Sequence, residues 1–470
     1  MPLPKVPGAA ILSIRSQSLL AGFTIMSPPP PSDPQAAALN WGAAPAGAPG
    51  LVQVPASARF WMKLIAFSGP GYLIAVGYMD PGNWATDIAG GAKFGYALLP
   101  AIVFSNFAAM FLQWLALRLG IASGRDLAQA CRAHYSPAVA RSLWVTCEIA
   151  IVACDLAEVI GTAIALKLLF HLPILLGVCL TAFDTLIVMG LLKYGFRYIE
   201  AFTIALTAVV GLCFAYELAA SHPDAAGILG SFLPSKQTLT DPSALYLAVG
   251  IFGATVMPHN LYLHSSIAQS RKIEPTVSGK RQAIRFSTID CFTALTFALL
   301  INLAILVLAA AVFHWSGHAN LESIEDAYKL LSPTMGVGIA SVVFAVALLA
   351  AGQNSTLTGT MAGQIVMEGF LGLKMNPFAR RLLTRGLAIL PALAVTAIAG
   401  DNGTTQLLIL SQVVLSLQLG FAVVPLVRFT SDAKVMGLFV NGLWVRRSGY
   451  AVAAAIILVN GWLVVQTVFA

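Results

Sequence analysis

From Trp61 onward the chain consists of long apolar blocks separated by short polar ones. A helix needs about 20 apolar residues to cross a bilayer core. The blocks predict eleven such spans, at 61–93, 96–121, 141–169, 173–194, 197–221, 243–270, 285–313, 335–371, 381–399, 404–428 and 449–469. Two are broken in the middle. Asp80-Pro81-Gly82-Asn83 interrupts the first and Met257-Pro258-His259-Asn260 the sixth, both with the pattern x-Pro-x-Asn. Proline removes a backbone donor and clashes with the preceding turn, and glycine loosens the backbone. Each broken span therefore reads as two half-helices joined by unwound chain, which a bilayer tolerates only where it is buried in protein or lines a wet cavity. A further interruption is expected in the long eighth span, near Gly352–Ser355. Spans 1–5 and 6–10 are odd-numbered sets, so the second set enters from the opposite side. The pattern predicts an all-α polytopic membrane protein with a 5+5 inverted repeat, broken helices 1 and 6, and an appended span 11. Broken helices at matching places in two inverted halves point to a binding site at the midplane.

Composition agrees with the pattern: 58% of the 470 residues are hydrophobic, 10% are charged and the mean hydropathy is +0.81, where soluble domains carry about 25% charged residues. The net charge of +7 raises the question of a polyanionic partner. The placement of the basic residues answers it. Lys and Arg crowd alternate loops, among them Arg125, Arg132, Arg271, Lys280, Arg380, Arg381, Lys434 and Arg446. The other side holds Lys93, Lys167, Lys236 and Lys329. This is the positive-inside distribution. It puts the N-terminus in the cytoplasm and the C-terminus outside, and it leaves no call for nucleic acid. A bacterial plasma membrane is the expected compartment.

Residues 1–58, with Pro28-Pro29-Pro30-Pro31 and an Ala/Gly/Pro run, have little to bury and read as a disordered tail ahead of the membrane domain at 59–470. No signal-peptide cleavage pattern follows the mildly apolar stretch at 9–26, and Met26 is an alternative start. The cysteines Cys131, Cys147, Cys154, Cys179, Cys213 and Cys291 form no CxxC and read as small core residues.

The two interruptions carry the candidate chemistry. Asp80 and Asn83 offer hard oxygens, Met257 a thioether, and the chain before it a carbonyl, Ala254 being well placed. Oxygen-only sites suit magnesium and calcium, and a soft sulfur shifts preference toward transition metals. The set suits a weakly held divalent first-row ion; a lone methionine is more often a core residue filling a gap, but the place of Met257 one residue before a helix-breaking Pro and opposite Asp80 in the repeat favours the ligand. In span 3, Glu148, Asp155 and Glu158 share one helical face. Acids at membrane depth mark proton or ion routes. The competing reading pairs them structurally with Arg380, Arg381 or Arg385, and both can hold. His259 either links Asp80 to the acids, since imidazole titrates near neutral pH, or is a core histidine. Gln412 is placed to complete the ion's shell. Asp184 and Asp290 read as structural. No nucleophile–base pair or cofactor fingerprint indicates an enzyme.

At these residues the chain resembles the Nramp family of proton-coupled divalent-metal transporters. Asp80-Pro81-Gly82-Asn83 is similar to the family's first-span signature. Met257-Pro258-His259-Asn260-Leu261-Tyr262-Leu263-His264-Ser265 is similar to its sixth-span signature, with Ala254 three residues before the methionine. Further matching text lies at Gly120–Arg125, Asp155–Glu158, Gly359–Gln364 and Leu410–Val414, so the resemblance covers about residues 60–430. It implies a LeuT-like fold and import of manganese or ferrous iron, with cadmium and cobalt as passengers and protons as the coupling ion. It also implies a monomer with no resident cofactor. It assigns metal ligation to Asp80, Asn83, the Ala254 carbonyl and Met257, with Gln412 and the Gly77 carbonyl contributing in some states. It assigns proton handling to Asp80, His259, Glu148, Asp155 and Glu158, with Arg380, Arg381 and Arg385 at the exit. Gly420 stands where the family usually has Pro, and Gly77 where many members have Ala. Two other classes remain: a sodium-coupled amino-acid or organic-ion symporter of the same fold, whose half-helix N-termini would hold a carboxylate, and a magnesium-selective relative, against which Met257 speaks.

Overall fold

The computed structural model describes residues 24–25, 52–53, 59–184, 190, 196–233, 236–316, 321 and 324–469. The membrane part is helical. Its elements begin with α1 (Phe60–Phe67), α2 (Pro70–Val76), α3 (Pro81–Phe94), α4 (Leu99–Ser123), α5 (Leu127–His134), α6 (Pro137–Phe170) and α7 (Ile174–Leu180). They continue with α8 (Phe196–Ser221), α9 (Pro242–Thr255), α10 (Pro258–Ile267), α11 (Val277–Ala309), α12 (Ile324–Met335), α13 (Ala340–Leu371), α14 (Pro377–Thr430) and α15 (Leu443–Phe469). Among the described residues seven helical stretches are long and apolar enough to cross a membrane. Large apolar side chains such as Phe104, Phe107, Leu212, Ile398 and Leu458 face outward, an apolar surface of the kind a lipid environment covers.

Both expected breaks are present. The first span leaves helical geometry over Gly77–Met79 and restarts at Pro81, with Asp80 as the extended N-cap. The sixth leaves it at Val256–Met257 and restarts at Pro258. Proline suits the first helical position because its missing N–H would be unpaired there anyway.

Four expectations need correction. The eighth span is unbroken: α13 runs through Gly352–Ser355 from Ala340 to Leu371, because neither proline nor an unpaired backbone group opens the ladder there. The turn expected between 399 and 404 is helical, and α14 runs unbroken for 54 residues; Gly400–Gly403 contains no proline to end it. At 1.5 Å per residue a straight helix of that length would reach about 80 Å, far beyond a bilayer core, and only its second part, Gln406–Thr430, scores as a span. Span 1 has an additional break at Ser68-Gly69, where Gly69 takes a left-handed φ of +131°. Cys179 is exposed, while Cys131, Cys147, Cys154 and Cys291 are buried. Part of the expected span 173–194 and most of the tail lie outside the described residues. The described parts of the tail make two short pairings with the bundle, Thr24–Ile25 antiparallel to Leu373–Lys374 and Val52–Gln53 parallel to Arg271–Lys272.

The long helix α6 packs against both α13 and α14, while α11 packs against α2, α3 and α4. The broken pair is thereby held between two rows of continuous helices. Close approach depends on small residues. A Cβ at Gly161 of α6 would lie 2.2 Å from the Cβ of Pro81, and one at Gly120 of α4 would lie 2.0 Å from the carbonyl of Ser265.

Candidate functional site

The restart of α3 sets the geometry of the first joint. As N-cap, Asp80 turns its carboxylate back over the helix start, where Oδ1 accepts the Asn83 backbone N–H at 2.9 Å and the Asn83 side-chain amide at 2.5 Å. The same Asn83 Nδ2 donates to the Gly77 carbonyl at 3.3 Å and to the Ala254 carbonyl at 3.2 Å. Three oxygen acceptors from both broken spans thus converge on one NH2 group. Asp80 Oδ2 is buried with no hydrogen-bond partner.

Met257 closes the cradle from the other side. Its sulfur lies 3.1 Å from the position a Cβ would take at Gly77, and it packs with Ala150, Cys154 and Leu415. Gln412 lies over the same joint. Its Nε2 is 1.9 Å from a Cβ built at Gly82, its backbone carbonyl is 2.2 Å from one at Gly253, and its Oε1 is buried and unpaired. At Gly253 a side chain would meet backbone, while at Gly77 and Gly82 it would push aside the amide ends of Asn260 and Gln412. Asp80, Asn83, Ala254, Met257 and Gln412 are all at most 1% exposed.

The acids of α6 form a second group with the arginines of α14. Arg381 pairs with Asp155 at 2.5 Å and with Glu158 at 3.3 Å. Arg385 pairs with Glu158 at 3.3 Å and with Asp184 at 3.0 Å, and Arg380 pairs with Glu148 at 2.8 Å. Trp144 donates to Glu148 at 2.9 Å and Ser355 to Glu158 at 3.0 Å. The structural pairing weighed from the sequence is therefore present. His259 is buried and its Nδ1 has no hydrogen-bond partner; no direct bond joins it to Asp80 or the acids among the described residues.

Sequence reasoning passed over two neighbours. Cys154, read only as a core residue, shares a small buried cluster with Met257 and donates to Glu158 Oε1 at 3.7 Å, so it is associated with both groups. Asn260 was quoted within a motif and given no role. Its Nδ2 lies 2.1 Å from a Cβ built at Gly77, and both of its amide atoms are buried and unpaired. The signal available was its match to Asn83 in the repeated x-Pro-x-Asn pattern. Asp290, read as structural, accepts the N–H groups of Gly69 and Gly71 at 3.1 and 2.6 Å.

The family described as natural resistance-associated macrophage protein-like matches residues 71–466. The chain belongs to the Nramp family. It is 57% identical over 418 residues to a protein of Nostoc named divalent metal cation transporter MntH, covering 89% of this chain and 95% of that one. It is 58% identical over 417 residues to the protein of the same name from Listeria welshimeri, covering 89% and 93%. Its fold matches the crystal structure of the Eremococcus coleocola manganese transporter in complex with an aromatic bis-isothiourea compound. That match has a TM-score of 0.81 and 41% identity over 87% of this chain and 88% of that one. It also matches Mhp1, a nucleobase-cation-symport-1 family transporter in a closed conformation, at a TM-score of 0.57 and 16% identity over 85% and 93%. At that distance only the fold is shared. The helical, broken-span architecture expected from the sequence is thus the LeuT-like one of this Nramp chain.

Proposed function

We propose that this chain imports divalent transition-metal ions, manganese and ferrous iron foremost and cadmium and cobalt as further cargo, coupled to protons by alternating access. The observation that carries the reading is the convergence of the Asp80 carboxylate and the Gly77 and Ala254 carbonyls on the Asn83 amide, with the Met257 sulfur packed at Gly77. A cation taking the place of the Asn83 NH2 donor would meet those three oxygens; rotation of the amide would add the Asn83 oxygen, and Met257 a soft donor. Gln412 is placed to join as the half-helices move. Oxygen donors with one sulfur favour first-row transition ions over magnesium and calcium.

Proton handling falls to Asp80 and the Glu148, Asp155, Glu158 row with Arg380, Arg381 and Arg385, and the buried His259, two residues after Met257, is assigned to the same path. Cys154 is associated with both Met257 and Glu158. We place the chain as a monomer in a bacterial inner membrane with the N-terminus cytoplasmic and the C-terminus outside, following the basic loops. A transporter of this kind needs no resident cofactor, since the metal is its cargo. The amino-acid symporter reading requires a free half-helix N-terminus for a substrate carboxylate. Here the Asp80 carboxylate already caps the start of α3, which leaves, of the two restarting half-helices, only α10 without a side-chain cap.

The test is uptake of labelled manganese into proteoliposomes with and without an imposed pH difference. Uptake is expected in both cases and faster with the outside acidic. Equal rates would remove the proton coupling, and absence of manganese uptake beside uptake of an amino acid would remove the metal.

A further inference from the structure

Where α14 ends and α15 begins, the chain forms a cavity of about 520 Å³ lined by Arg428, Ser431, Arg446, Arg447 and Tyr450. It lies far along the chain from the metal cradle, on the Lys- and Arg-rich face that the positive-inside rule puts in the cytoplasm. None of its three arginines forms an ion pair among the described residues. The nearby carboxylate, Asp432, is turned to the backbone N–H of Lys434 at 2.8 Å. Arg428 and Arg447 lie 5.1 and 5.8 Å from the ring centroids of Tyr135 and Trp444, contacts that do not neutralise the charge.

The cavity is preformed. Asn441 ties the connecting loop to the end of α14, its N–H donating to the Thr430 carbonyl at 3.0 Å and its side chain to the Thr430 hydroxyl at 2.9 Å. The guanidinium of Arg118 donates to the Asn441 side chain at 2.8 Å and to the Phe439 carbonyl at 2.6 Å, anchoring the loop from below. Around this fixed basic mouth, Leu438 and Trp444 are 81% and 77% exposed. Exposed apolar and indole groups beside arginines are the signature of the headgroup layer, where a basic pocket between spans meets anionic lipid.

We propose that this cavity binds the phosphodiester of an anionic phospholipid headgroup in the cytoplasmic leaflet. Arg428, Arg446 and Arg447 would hold the phosphate, with the Ser431 and Tyr450 hydroxyls as further donors. Three guanidiniums with no acid between them match the charge and the planar donor geometry that phosphate oxygens require. The exposed Leu438 and Trp444 are what favour a lipid over free phosphate as the source.

The full chain, purified in detergent, is exchanged with phosphatidylglycerol or with phosphatidylcholine of equal chain length, and retained lipid is read by native mass spectrometry. Phosphatidylglycerol is expected to be retained roughly tenfold better. That preference is expected to fall to near parity when Arg428→Gln, Arg446→Gln and Arg447→Gln are combined, and to fall only in part when all three become Lys, which keep the charge without the planar donors. The arginines are exposed, so folding should persist; if the triple variant aggregates, Arg446→Gln and Arg447→Gln singly should each lose part of the preference. Full preference in the glutamine variants overturns the site. Inorganic phosphate displacing phosphatidylglycerol at equal concentration overturns the lipid as its source.

Discussion

Asn83 donates from one NH2 group to Asp80, Gly77 and Ala254, and Met257 presents its sulfur to the same Gly77. In the proposed reading the oxygens alone would accept any small divalent cation, and discrimination would rest on the thioether. Met257→Ala is therefore expected to keep manganese uptake measurable while letting calcium or magnesium compete at about tenfold lower excess than in the parent. Competition uptake in proteoliposomes measures this, and unchanged discrimination would show that the sulfur is not the filter. Gly77 and Asn260 form a second coupled pair. Gly77→Ala drives a methyl group into the Asn260 amide and is expected to weaken manganese binding a few fold, by about 1 kcal/mol. Asn260→Ala on that background should return part of the loss by freeing the space. Calorimetry on the two single variants and the double variant gives the coupling directly. Additive losses would show that the two residues act apart. A third residue-scale effect lies outside the spans. Asp126, the N-cap of α5, is buried, and burial pushes its carboxyl from 3.8 up to about 7 against the pull of the Gln129 N–H. A raised folded value favours the protonated form, so stability is full below about pH 4 and declines as pH rises through 7. Asp126→Asn keeps an N-capping side chain and should flatten that decline. Melting temperatures at pH 5 and pH 8 check it.

At the scale of elements, the two snapped spans were legible because proline leaves an unambiguous mark. Pro81 and Pro258 restart the helices where the sequence places them, and the positions of Asp80, Asn83, Ala254 and Met257 at the joints follow from that. The additional break at Gly69 was not read. Its cause is tertiary: the Glu200 carboxylate stands 2.3 Å from where a Cβ would sit at Gly69, Arg271 holds Glu200 at 2.7 Å, and the same Arg271 donates to the carbonyls of Ala66 and Ser68 at 2.9 Å each. No local pattern announces a bend held by residues 130 to 200 positions away. The continuous α13 and α14 were misread for the opposite reason. Clusters of Gly, Asn and Ser look like turns, yet they remain helical when packing supplies the neighbours. The pairing of α6 with α14 could be stated only as two alternatives from the sequence, since helical phase brings the acids to one face and says nothing of which arginines meet them. Arg381 bonds both Asp155 and Glu158. Arg381→Ala leaves two buried acids short of a partner, a loss of about 3–5 kcal/mol where such pairs are buried. The expected outcome is a lower melting temperature together with manganese uptake that no longer rises with an acidic exterior.

For the whole molecule, the broken pair is gripped between rows of unbroken helices, and the residues that set the grip are small. Gly161 on α6 comes so near Pro81 that their Cβ positions would be 2.2 Å apart. Six residues before Gly161 on the same helix is Asp155, and one turn before it is Glu158. The joint proposed to cradle the cargo therefore rests on the very rod that carries the acids. In the proposed cycle a tilt of the half-helix would press its fulcrum on that rod, so the two proposed ion routes share a bearing and neither would swing alone.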